Sequence, residues 1–316
     1  MRKLMQLVSL TVMLIPSFSY AGERVDKTLA LKDASKVIIE NQRGTVKIVG
    51  SDDDLVSVKG ELDEKTESFV FEHSGATIKI KVEMPNNQRN WRSNDEGSNL
   101  TISVPRQVRI GFSGISSDVD VSGFDQGVDI KTVSGEITVN NLHKLVDISS
   151  ISGDIDSEQL SGKIQLSTVS GDLKDKHSSG RLFIKSVSGS INTKSDANEV
   201  SAETVSGDID LSLAAIDELT ISTVSGDSNA HLLLNEQGTV KLSSVSGEFD
   251  LLFEKGVQAN FRLKTNAGGS IENRLTTDKS ERGKYVPSEK LSFTTGNGSG
   301  SVKATTVSGD IVLRTN

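Results

Sequence analysis

The sequence predicts an all-β protein, a parallel β-solenoid of about 18-residue coils carrying a β-rich N-terminal cap. Three observations lead there. The tetrapeptide Val-Ser-Gly-Asp, or a close variant, recurs at near-constant spacing from Val133 to Val245 and returns once more at Val307. Apolar residues around it alternate with polar ones at period two. The composition is 28 Gly in 316 residues, 4 Pro and 4 % aromatics, which suits many short strands with tight turns better than packed helices.

Residues 1–21 read as a signal peptide. Arg2 and Lys3 give a positive start, Leu4 to Ile15 is apolar, and Pro16 ends that run. Ser19-Tyr20-Ala21 places small residues at the −3 and −1 positions, so cleavage is expected after Ala21. The apolar run is too short for a hydrocarbon core of about 30 Å, and no later run is apolar enough to span one. The mature chain is therefore expected to be exported, with no transmembrane segment, in the periplasm or at the cell surface.

Residues 22–108 lack the tetrapeptide but alternate like strands over 37–40, 45–49, 55–59, 68–73, 77–82 and 100–104. Gln42-Arg43-Gly44 and His73-Ser74-Gly75 mark turns. This region is expected to cap the first coil, because an open solenoid end would be an aggregating edge.

Residues 109–316 form the repeat domain. From the degenerate copy Ile115-Ser116-Ser117-Asp118 to Val245 the steps are 18, 18, 18, 18, 18, 19 and 21. Five residues before each motif stand Ile110, Val128, Val146, Ile164, Leu182, Val200, Leu219 and Val240. Three before stand Phe112, Ile130, Ile148, Leu166, Ile184, Ala202, Ile221 and Leu242. Ser or Thr precedes the motif directly, from Thr132 to Ser244. Four past the motif start, Val119, Ile137, Ile155, Leu173, Ile191, Ile209 and Phe249 open a second short strand. A coil cannot bury these rows alone. Stacking coils about 4.8 Å apart turns them into interior ladders. The Gly column, from Gly135 to Gly309, fits a corner needing φ > 0 or a close backbone approach. Residues 254–300 break the rhythm. Phe261, Leu263 and Thr265 read as one more coil with Gly268 and Gly269 at its corner, Lys279 to Pro287 as a protruding loop, and Gly296 to Gly300 as a turn.

The exported start, the opening Gly44-Thr45-Val46-Lys47-Ile48, and the serial Thr-Val-Ser-Gly-Asp-Ile copies resemble the bacterial "putative adhesin" family. So does the ending Gly296-Asn297-Gly298 followed by Thr306-Val307-Ser308-Gly309-Asp310-Ile311. The resemblance covers nearly the whole mature chain. It implies a β-repeat envelope or secreted protein of unknown function, and no catalytic residue carries over from it.

Composition excludes several chemistries. A net charge of −8 argues against nucleic-acid binding. The absence of cysteine rules out disulfides, thiolate metal sites and a Cys nucleophile. His73, His143, His177 and His231 are scattered without ligand spacing. Sugar-cleaving sites usually add aromatic platforms to paired carboxylates, yet past the leader the only Trp and Tyr are Trp91 and Tyr285. No Gly-x-Ser-x-Gly elbow occurs.

Three features invite chemistry nonetheless. Acidic residues stack after each Gly: Asp118, Glu136, Asp154, Asp172, Asp208, Asp227, Glu248 and Asp310, with Ser190 interrupting. Such neighbours repel by roughly 1 kcal/mol per pair in water. They either bind divalent cations or cap their own turns through nearby backbone N–H groups, and turn capping is the favoured reading. The Ser/Thr column could form an ice- or crystal-binding array, but its parity with the apolar columns points it inward, where hydroxyls would bond to one another. The stretch Asn86 to Asn99, with Arg89, Trp91 and Arg92, suits either recognition or plugging of the solenoid end. No catalytic, cofactor-binding or metal residue is assigned, and no cofactor is expected. The expectation is a non-catalytic envelope protein, adhesin-like or scaffolding, whose partner is an envelope or surface protein or glycan. The alternatives are a carbohydrate-active enzyme and a periplasmic sensor or regulator.

Overall fold

The computed structural model describes residues 22–85 and 97–316, all in strands, turns and loops, with 24 strands joined in one hydrogen-bonded system. The leader, with its cleavage position, and most of the Asn86 to Asn99 stretch lie outside the described residues.

Equivalent residues stack in parallel, rung upon rung. Ile137, Ile155, Leu173, Ile191 and Ile209 follow one another as direct strand partners. On the other side of the Gly corner Val146, Ile164, Leu182, Val200, Leu219 and Val240 do the same. Each of these side chains is buried. A β-branched or Leu side chain taken fully from water contributes roughly 1.5–3 kcal/mol, so the columns form a core running the length of the stack. The Ser/Thr column points into that core as its parity predicts, with Thr132, Ser150, Thr168, Ser186, Thr204, Thr223, Ser244 and Thr306 all buried. Its hydrogen bonding differs from the expected hydroxyl-to-hydroxyl chain. Thr132 donates to Ser150 at 3.2 Å, whereas Thr168 donates to the Gly153 carbonyl at 3.2 Å and Ser244 to that of Ser246 at 3.0 Å.

The corner glycines are required by close approach. A Cβ added at Gly171 would lie 2.3 Å from the Gly153 carbonyl oxygen, and one at Gly153 would lie 2.1 Å from that of Gly135. Each rung thus rests against the corner of the one before it. At Gly207 the same contact, 2.3 Å from the Gly189 oxygen, is combined with φ +143°.

The stacking reaches beyond the recurring tetrapeptide. The strand Lys36–Ser51 pairs in parallel with Arg109–Phe124, placing Val37 beside Ile110 and Val46 beside Val119. On its far side lie Thr77–Glu83 and Ser98–Pro105, again parallel. Residues assigned from sequence to a cap therefore include rungs of the stack. The elements closing that end are antiparallel additions: Ser68–Ser74 against Thr77–Glu83, Leu55–Glu61 against Ser98–Pro105, and Arg24–Ala30 against Leu55–Glu61.

Rung order departs from chain order at both ends. At the first, Lys36–Ser51 sits between the later segments 77–105 and 109–124. At the other, Gly300–Ser308 pairs with Ser228–Ser246 on one side and with Ala259–Thr265 on the other. Ile311–Thr315 likewise lies between Phe249–Phe253 and Ile271–Asn273. The last rung in sequence is therefore an inner one. The extra coil read at Phe261, Leu263 and Thr265 is present with these side chains inward, and Glu289–Thr294 covers it in antiparallel pairing. The segment Lys279 to Pro287 is largely exposed.

Candidate functional site: a ridge along one corner

The parity that turns Thr168 inward turns its neighbour Val169 outward. The same holds at every copy of the motif. Ile115, Val133, Ile151, Val169, Val187, Val205, Val224, Val245 and Val307 are all exposed, between 38 % and 50 %. They share one column, since Ser170 pairs with Ser188 and Ser206 with Ser225 directly beside them. Among the described residues, most of the exposed large hydrophobic side chains fall in this single line. Isolated surface apolar residues need no explanation, whereas a contiguous run points to a contact surface. The inward rows alone do not reveal this column. The missing signal was the parity of the motif's own first residue.

The acidic row stands on the far side of the corner glycine. Every aspartate in it reaches the next rung: Asp118 Oδ1 accepts from the Glu136 N–H at 2.9 Å, Asp154 from Asp172 at 2.8 Å, and Asp172 from Ser190 at 2.8 Å. Asp208 accepts from Asp227 at 3.0 Å, Asp227 from Glu248 at 2.9 Å, and Asp310 from Ser270 at 2.7 Å. The turn-capping expectation needs correction in its geometry, because each aspartate of the row clips the following rung instead of its own turn. The row stays exposed except at half-buried Glu248, so its charge remains open to a partner. Among the described residues, no group of three or more His, Asp or Glu side chains converges on a metal position.

The structure keeps the four histidines apart. His73 bonds the Ala30 carbonyl at 2.7 Å, His143 bonds Ser161 Oγ at 2.6 Å, His177 lies 3.9 Å from Asp196, and His231 bonds Glu254 at 2.8 Å. The His231 hydrogen bond, with a second from Asn316, holds the Glu254 carboxyl below its usual range.

One buried carboxylate escaped sequence analysis. In the column holding Val121, Val139 and Leu211, the middle rungs carry Ser157, Asp175 and Thr193. Asp175 is buried and accepts hydrogen bonds from Ser157 Oγ at 2.8 Å and from Ser178 Oγ. Its other oxygen and the Thr193 hydroxyl have no partner. Burial pushes the carboxyl up to about 6, against the opposing pull of the two hydroxyls and of His177. The group lies in the core, away from the exposed ridge. Its signal was a charged residue in a position of inward parity. On the outer face of the same sheet, an open depression of about 530 Å³ is bordered by Asn192, Asp210, Asn229, His231, Asp250 and Arg314.

This arrangement defines a class: an all-β repeat protein with a solenoid-like sheet, a largely apolar interior and a lengthwise exposed ridge. The chain belongs to the Toastrack DUF4097 family, whose model matches residues 34–314. It is similar to a "putative adhesin" from Parabacteroides distasonis at 13 % identity, covering 92 % of this chain and 97 % of that one, TM-score 0.40. A second "putative adhesin", from Bacteroides fragilis, matches at 14 % identity over 92 % and 97 % of the two chains, TM-score 0.37. A "putative cell adhesion protein" from Clostridium sporogenes matches at 10 % identity over 93 % and 100 %, TM-score 0.29. No curated protein matches the chain. Among the described residues, no helix is long and apolar enough to cross a membrane.

Proposed function

We propose that this is an exported, non-catalytic binding or scaffold module of the bacterial envelope, adhesin-like in role. Residues 1–21 are its cleaved leader, 22–108 supply the first rungs and the antiparallel strands that close that end, and 109–316 continue the solenoid in coils of about 18 residues that present a repeated surface. The observation that carries this reading is the ridge, where the same short set of side chains returns at rung after rung. Extended concave or ridged surfaces are how repeat proteins engage large partners. A non-catalytic role is supported by the use of the most regular carboxylate row as inter-rung clips. The partner class is an envelope or surface protein or glycan. Retention of envelope components on the immobilised mature chain tests the reading, with a glycan panel followed by reducing-sugar detection as a parallel arm. Retained, uncleaved material is the expected result. Release of new reducing ends would replace this reading with an enzymatic one, and no retention would remove it.

A further inference from the structure

We propose that the ridge is a docking surface for a cationic amphipathic helix. This names a partner class for the binding role above and rests on that role. The aliphatic line gives the helix its apolar seam. The acidic row flanks one side of that seam, through Asp154, Asp172, Asp208 and Asp227 among others, and no basic residue interrupts it between Asp118 and Asp310. The opposite flank is mixed and not acidic, carrying Lys131, Ser149, Ser167, Lys185, Glu203 and Ser222. Between the aliphatic and acidic lines stand only Ser and Gly, so a partner backbone can approach closely. The rungs rise by about 4.8 Å and a helix by about 5.4 Å per turn. One apolar residue per helical turn therefore meets about one rung, and register drifts by a single rung only after about eight turns. The asymmetry requires lysine or arginine along one border of the helix seam. A second copy is a poorer occupant: meeting antiparallel it would bring the two acidic rows together, and meeting parallel it would set each acidic row against a flank that offers few cations, Lys131 and Lys185 among them.

The test uses the full mature chain and synthetic helical probes made of leucine and lysine. One probe has its leucines on a single face. A second has the same composition with leucines spread around the helix. A third carries glutamate for lysine. Binding is read by fluorescence anisotropy. The one-faced lysine probe is expected to bind at least tenfold more tightly than the scrambled probe, and the glutamate probe should not bind. The combined variant Val169→Thr, Val187→Thr and Val205→Thr keeps β-branched shape and should weaken the one-faced probe at least tenfold without moving the melting midpoint. If that variant is unstable, Asp154→Asn, Asp172→Asn and Asp208→Asn together keep an accepting oxygen for each clip and should weaken the lysine probe and its salt dependence. Equal binding of the one-faced and scrambled probes overturns the proposal, as does unchanged binding by both variants. A dimer in sedimentation that the threonine variant dissolves overturns it in favour of self-association. If the threonine variant still retains envelope material while the probes fail to bind, the docking surface falls and the broader binding role stands.

Discussion

Replacing Asp175 by Asn should stabilise the protein at neutral pH. Asp175 is a carboxylate buried in a column otherwise held by Val139, Ser157, Thr193 and Leu211. Its carboxyl lies at about 6 in the folded chain, against 3.8 for an ordinary aspartate. A raised folded value means that folding favours the protonated form. The stability it brings is therefore complete below pH 3.8 and is lost as pH rises through about 6. Above that, the two values separate by about 2 units, and at 1.36 kcal/mol per unit the ionised group costs about 3 kcal/mol. Asparagine keeps an acceptor for the Ser157 and Ser178 hydroxyls and turns an amide donor toward the space beside the unpartnered Thr193 hydroxyl. Denaturant unfolding of both proteins at pH 4 and pH 7.5 measures the effect. The variant should gain up to about 3 kcal/mol at pH 7.5 and little at pH 4. A variant no more stable than the parent at pH 7.5, with the same pH slope, would refute the assignment of the cost to a buried ionised group.

Other consequences are open to measurement. Gly171→Ala, which forces a Cβ to 2.3 Å from the Gly153 oxygen, should cost about 3 kcal/mol or more by rung separation. Gly256→Ala, in open space at φ +84°, should cost only about 1 kcal/mol, and chemical denaturation of the pair ranks them. Asp172→Ala removes the clip to Ser190 and should lower the melting midpoint, while Asp172→Asn restores most of it. Millimolar calcium should leave the parent midpoint unmoved, and an upward shift of several degrees would show that the acidic row binds cations. Deleting 300–316 strips a rung that pairs on both faces. Residues 255–299 should then become sensitive to limited proteolysis although none of them was changed.

Much of the interior was legible because a strand's two-residue period and a fixed repeat determine which side chains share a column. Ile164, Leu166 and Thr168 are inward by parity, and the structure has all three buried. Rung order at the ends was not legible from the tetrapeptide, since adjacency follows matching registers and not chain order. A subtler signal was available. Val37 and Val46 are nine residues apart, the same separation as Ile110 and Val119 or Val128 and Ile137, and these sets fall in the same two columns. The ridge was equally available, because an inward Thr168 implies an outward Val169. Asp175 was harder to find. Lys174 and Lys176 beside it make the segment read as polar surface, and only its alignment with Val139 and Leu211 reveals where it sits.

The exchange of rung order at both ends constrains how such a molecule can lengthen. A duplicated unit added after residue 315 would have no vacant position, because that segment is already flanked on both sides. A unit inserted among residues 128–246 meets neighbours of its own kind above and below. Longer or shorter relatives should therefore differ by whole units in the middle, with the interleaved ends carried along unchanged like a pair of bookends.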